Sequence, residues 1–220
     1  MQAEKETWNE QQKLLRRALR DPQAFPTALQ LFLQQHAMVH SAKMSGAGLW
    51  SFEDEVWQGL SEAQARRIFP PDGHSMAWNI WHITRIEDVT MNLLVAGGAQ
   101  VMLGGRWHEH MKVTARDTGN AMPAAEIAEL SASIDLEALR AYRLQVGQQT
   151  RAVVQRLCAT ELHQKVTLVR LQQVLKEGAV RAAAEDVLAY WGGLTIAGLL
   201  LMPPTRHSFL HLTEAMRLRK

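Results

Sequence analysis

The stretch HSMAWNIWHITRIEDVTMNLL, residues 74–94, decides how the chain is read. At 3.6 residues per turn, Trp78, His82, Ile86, Val89 and Leu93 fall on one stripe of a long helix. Four of the five are apolar, so the stripe faces a core and His82 faces it too. A buried imidazole needs a partner, because an unpaired buried polar group costs about 1–3 kcal/mol. A metal ion is the candidate partner. Candidate co-ligands stand near the far end of the sequence, in RHSFLH, where His207 and His211 are four residues apart. On a helix that spacing puts both imidazoles on one face, a turn apart.

Working outward, 220 residues suit one domain with a substantial core, and 47% apolar residues exclude a disordered tail. The formal net charge of +2 gives no electrostatic case for nucleic acid or an acidic membrane surface. Arg217, Arg219 and Lys220 sit where cations offset the dipole of a last helical turn. The single cysteine, Cys158, allows no intrachain disulfide, fits a reducing cytoplasm, and reads as a small core residue. The charged start, MQAEKETWNEQQKLLRR, is expected not to be a signal peptide. The most apolar run, 188–202, is short for a membrane span and is interrupted by glycines. We therefore expect a cytoplasmic protein without membrane or nucleic-acid partners. The seven tryptophans read mainly as core filling.

The pattern predicts helices throughout. A charged helix over 4–20 ends at Asp21-Pro22, and a second runs from Pro26 to about 43. Ser45-Gly46-Ala47-Gly48 breaks it. Short helices follow at 51–60 and 61–68, then the turn Pro70-Pro71-Asp72-Gly73. The organising helix stops at Gly97-Gly98. Residues 98–122 lack periodicity and read as a long lid or binding loop holding Trp107-His108-Glu109-His110. Pro123 opens a short helix. Asp135 caps a long one reaching about 158, and Thr160 is the expected cap of the next, which stops at Gly178. An apolar helix fills 180–202, Pro203-Pro204 breaks the chain, and the last helix starts at Thr205. No sustained alternation marks a strand. The expected fold is all-α: one domain over 1–220, an antiparallel four-helix bundle (about 26–43, 76–96, 136–158 and 205–218) with additional peripheral helices, the first of them over 1–22.

Two HxxxH pairs occur, His36/His40 and His207/His211, and the spacing alone does not choose between metal sites and ordinary helix faces. His82 alone reads as a satisfied core histidine. His108 and His110 read as solvent-facing, and His74 and His163 give no usable signal. Glu87 and Asp88 point away from the His82 face and read as salt-bridge partners of Arg85 or of other helices.

SMAWNIWHITRIEDVTMNLL and PPTRHSFLHLTEAMRLR, with the middle segment KVTARDTGNAMPAAEIAELSASIDLEALRAYRLQVGQQT and WGGLTIAGLLLMPPTRH, resemble the DinB-like superfamily of metal-binding four-helix bundles. The likeness runs from about residue 26 onward. It implies one histidine ligand from the second bundle helix and two from the fourth, which fall on His82, His207 and His211. Position 79 is Asn, so no second histidine lies one turn before His82. His36 or His40 could approach the site as an outer group or a fourth ligand. Three neutral imidazoles suit a divalent Zn, Ni or Fe ion with a position left for water or substrate. The resemblance implies thiol-dependent transfer, with a low-molecular-weight thiol, or hydrolysis of a small-molecule substrate. Arg85 and Arg206 are the candidate partners for a thiol cofactor's carboxylate. Pairing as a homodimer is common in the superfamily. The rival reading is a non-catalytic, stress-related or dimerising helical protein whose histidines are structural.

Overall fold

The computed structural model describes residues 2–46, 48, 50–70 and 73–218. Two isolated bridges, Phe69–His74 and Lys165–Thr195, are the extended pairings among them, and no strand forms. Helices α1 (Gln2–Ala18), α2 (Phe25–Val39), α3 (Ala42–Ser45), α4 (Phe52–Trp57) and α5 (Glu62–Arg66) lead to α6 (Met76–Asp88), which passes unbroken into a π-helical segment, Val89–Val95. The short α7 (Val101–Gly104) and α8 (Trp107–His110) precede α9 (Ala124–Ser133) and the long α10 (Leu136–Val154). Then come α11 (Leu168–Lys176), α12 (Glu185–Gly193) and α13 (Ile196–Leu201), which continues through a π segment, Met202–His207, into α14 (Ser208–Leu218). No described helix is long and apolar enough to cross a membrane.

Everything is arranged around α6. Each residue from 75 to 95 is buried. Helices α5, α7, α9, α10 and α14 pack against α6, while α2 packs on α10 and α14. The apolar stripe is core as expected: Trp78, Ile86, Val89 and Leu93 are all buried. The opposite faces are buried as well, and they carry charge. Arg85 and Asp88 form a fully buried pair at 3.1 Å. Asp88 also accepts from Tyr142 Oη (2.6 Å), Asn92 Nδ2 (2.8 Å) and the backbone N–H groups of Val101 and Met102 (both 2.9 Å). Arg85 donates further to Gln100 Oε1 and to the Arg116 carbonyl, both at 2.6 Å. These bonds tie α6 to α10 and fix both ends of the segment that follows it.

Several boundaries differ from the sequence expectation. Helix α2 stops at Val39 because Glu53 and Asp54 of α4 capture the Ser41 and Ala42 N–H groups at 3.0 and 2.7 Å. Residues 98–122 are no open lid. They contain α7 and α8, and Gln100, Met102, Met111, Val113, Asp117, Thr118 and Met122 are buried. Helix α10 ends at Val154, not near 158, and Thr167, not Thr160, caps α11 by accepting from Arg170 N at 3.4 Å. The apolar run 180–202 is split at Leu194-Thr195, where Thr195 caps α13. Pro203-Pro204 does not break the chain, because the helix widens around it. The single Thr205 O–H compensates in part for the donors the prolines lack, shared between the Leu200 and Leu201 carbonyls at 3.1 and 2.9 Å. Cys158 is exposed rather than core. Parts of the expected turn at 70–73, the break at 45–48 and the basic end fall on Pro71, Asp72, Ala47, Arg219 and Lys220, outside the described residues.

Asp88→Ala strands a buried guanidinium and four other donors. Urea unfolding is expected to show a loss of about 3–5 kcal/mol. A loss under about 1 kcal/mol would contradict the role given to this pair.

Candidate metal centre

Helix α6 and the α13–α14 segment bring three histidines together. His82 is buried, and His207 and His211 are partly exposed, so the group opens on one side. Ring centres lie 5.2 Å apart for His82–His207, 5.1 Å for His82–His211 and 4.5 Å for His207–His211. One nitrogen from each falls within 4.8 Å of the other two. A tetrahedral ion bound at about 2.0–2.1 Å by three imidazole nitrogens needs ring centres roughly 5 Å apart. The spacing fits.

The hydrogen bonds also fit. His82 Nδ1 meets the Thr118 carbonyl at 2.6 Å. A carbonyl only accepts, so this nitrogen carries the proton and Nε2 keeps its lone pair. His211 Nδ1 lies 2.9 Å from Asn79 Oδ1. The Asn79 amide is oriented by its own Nδ2, which donates to the Ser75 carbonyl at 3.1 Å. The oxygen therefore faces His211, whose Nε2 is again left as a lone pair. His207 Nδ1 is buried without a protein partner. Hydrogen bonding within the described chain thus leaves the trio unsatisfied, with ring nitrogens that an ion can use. Acceptors at Nδ1 are the usual second shell of a metal-binding histidine.

All three imidazoles are held neutral, the state a ligand needs. Burial pushes His82 down to about 3, with His211 adding to the effect. Burial, then His74, lowers His211 to about 4. Burial and its two companions hold His207 well below the ordinary histidine range.

Sequence supports this geometry locally. His82 is clamped in a parallel stack, His74 on Trp78 at 4.0 Å and Trp78 on His82 at 4.6 Å. Thr118 is presented by a tight turn in which Gly119 N donates to Asp117 Oδ1 at 2.7 Å. Arg181 anchors Asp117 at 2.8 Å. Gly119 has φ +81, and a Cβ there would meet the Trp81 ring at 2.7 Å. The second π segment ends at His207, so the widened turn sets the register of His207 and of His211 beyond it in α14.

Other candidates are placed elsewhere. His36 and His40 do not join the trio. They bond Glu87, each Nε2 lying 2.8 Å from one carboxylate oxygen. Arg85 is consumed by Asp88, Tyr142, Gln100 and Arg116 and cannot serve an incoming carboxylate. Arg206 has no hydrogen bond or ion pair among the described residues. His108 lies 3.3 Å from Arg116 Nη2, away from the trio. Sequence reading noted Asn79 only as the absence of a second histidine and passed over Thr118. Asn79 had a signal, since it stands one turn before His82. Thr118 acts through its backbone and had none.

A model of the DinB superfamily matches residues 53–192, well over half of the chain. The match contains His82, Asn79 and Thr118, and His207 and His211 lie beyond it. No curated protein matches the chain.

For the metal-free protein the sign of the pH dependence follows from the lowered histidines. The unfolded chain takes up protons near 6.5, while His82 and His211 in the fold resist until about 3 and 4. Between these values the unfolded state binds more protons, so stability falls as pH falls. Melting temperature in chelator is expected to drop from pH 6.5 to 4, and less steeply in His211→Gln. Equal slopes in the two proteins would contradict the assignment.

Proposed function

The chain belongs to the DinB superfamily, and on that premise we propose that it is a metal-dependent transferase acting with a small thiol. In this reading α2, α6, α10 and the α13–α14 segment make one four-helix bundle, and the Nε2 atoms of His82, His207 and His211 hold a divalent Zn, Ni or Fe ion. The observation that carries the reading is the pair of fixed tautomers: His82 donates to Thr118 and His211 to Asn79, so both lone pairs face the shared space. When bound, such an ion acts as a Lewis acid that favours the anionic form of a thiol or water in the position the protein leaves open.

The chain's own residues favour the thiol. Glu87 and Asp88, the carboxylates nearest His82 in sequence, are spent on His36, His40 and Thr150 and on Arg85 and Tyr142. Glu214 lies 3.9 Å from His211 Nδ1, on the side away from Nε2. With no buried carboxylate from α6 to take a proton from water, a nucleophile that ionises easily suits the site better than hydrolysis does. Arg206, adjacent to His207 and unpaired among the described residues, offers a guanidinium to a thiol's carboxylate. Neutral imidazoles would leave the charge of a bound divalent ion undiminished, which favours an anionic ligand.

His82→Ala is expected to weaken zinc binding more than 100-fold, and Asn79→Ala by about 10–100-fold through loss of the Nδ1 acceptor. Competition with a chromophoric chelator measures both. With Co(II) in place of zinc, cysteine or glutathione should add a sulfur-to-metal charge-transfer band, weakened in Arg206→Ala. A spectrum indifferent to thiols would favour hydrolysis. Unchanged zinc affinity in His82→Ala would remove the site and leave the histidines structural.

A further inference from the structure

Among the described residues four carboxylates are buried. Three have a guanidinium: Asp88 has Arg85 at 3.1 Å, Glu53 has Arg143 at 2.6 Å, and Asp117 has Arg181 at 2.8 Å. The fourth, Glu87, bonds no lysine or arginine among the described residues. Its oxygens face His36 Nε2 and His40 Nε2, both at 2.8 Å, and Thr150 Oγ1 at 2.7 Å. The two imidazoles and the carboxylate are completely buried. A charge without a fixed counter-charge in such a place is costly, and a cation removes the cost.

We propose that His36, His40 and Glu87 form a second metal site, distinct from the His82 site, for a divalent ion of the zinc class. The donor set is suitable: two imidazoles one helical turn apart on α2 and its C-cap, and a carboxylate from α6. Both carboxylate oxygens count, so four donor atoms converge, with each pair of ligating residues within 4.8 Å. The tautomers are free to change. His36 Nδ1 and His40 Nδ1 have no partner among the described residues, so no such bond locks the proton on Nε2. Passing it to Nδ1 breaks no other protein hydrogen bond and turns an Nε2 lone pair toward the ion. The fold also makes room for the ring. A Cβ on Gly147 of α10 would stand 2.7 Å from His40 Nδ1. The enclosure assigns the ion a structural task, holding α2 to α6 and α10, since closed sites are the structural ones. This site does not depend on the transferase reading.

The test strips the full-length protein with chelator, reloads it with Zn(II), desalts it and counts zinc per chain by mass spectrometry. Wild type should hold two, Glu87→Gln one, His82→Ala one, and the double variant none. One zinc in wild type that survives in Glu87→Gln and disappears in His82→Ala would overturn the second site and leave the first standing. One zinc that disappears in Glu87→Gln and survives in His82→Ala would support this site and overturn the first. Should Glu87→Gln fail to fold, wild type and His82→Ala still decide: one zinc in wild type and none in His82→Ala overturns the proposal, leaving Glu87 a hydrogen-bonded staple. Two and one support it.

Discussion

A helix buried on every side must satisfy every polar group it carries, and α6 carries many. Asn79, His82, Thr84, Arg85, Glu87, Asp88, Thr90 and Asn92 are all buried. An apolar helix could rotate or slide against its neighbours at modest cost. This one cannot, because each of these side chains has a partner on another element, on its own backbone or, for Asn92, on Asp88. Thr84 and Thr90 return hydroxyls to the Ile80 and Ile86 carbonyls. Arg85 and Asp88 reach α10 and the segment around α7. Glu87 reaches α2 and α10. His82 and Asn79 reach Thr118 and α14. The register of α6 therefore fixes where α2, α10, α14 and the 98–122 segment lie.

That constraint explains why the three-histidine group is preformed. The three rings sit on helices that cannot shift, and the Nδ1 atoms of His82 and His211 are held by Thr118 and Asn79. Thr118 is in turn held by Gly119, Asp117 and Arg181. The connecting segment thus serves as the wall behind the site, tied down at both ends by the buried Arg85–Asp88 pair. Preorganisation of this kind costs stability in the metal-free protein, where a buried imidazole is crowded by two partly buried ones. Metal binding would recover that cost through linkage.

The helical class, most of the helix order and the three histidines were legible in the sequence, because 3.6-residue periodicity, caps such as Asp135 and the spacing of His207 and His211 are local signals. The misreadings came from tertiary bonds. Nothing near Val39 announces that Glu53 and Asp54, more than ten residues on, will end α2. The wide π turn through Pro203-Pro204 depends on the Thr205 hydroxyl, so a proline pair that normally stops a helix is absorbed. The 98–122 segment looked open because its anchors are backbone groups and single polar side chains, which leave no periodic trace. His36 and His40 were visible as a pair, and their partner was also visible in WHITRIED. Only the fold shows that Glu87 points to them.

The most direct test of the central claim is anomalous diffraction at the zinc edge from crystals of the zinc-loaded protein. The account predicts a peak about 2.0–2.1 Å from Nε2 of His82, His207 and His211, with the Thr118 and Asn79 bonds to Nδ1 intact. A map with no peak among these three rings, in crystals soaked with zinc, would contradict it.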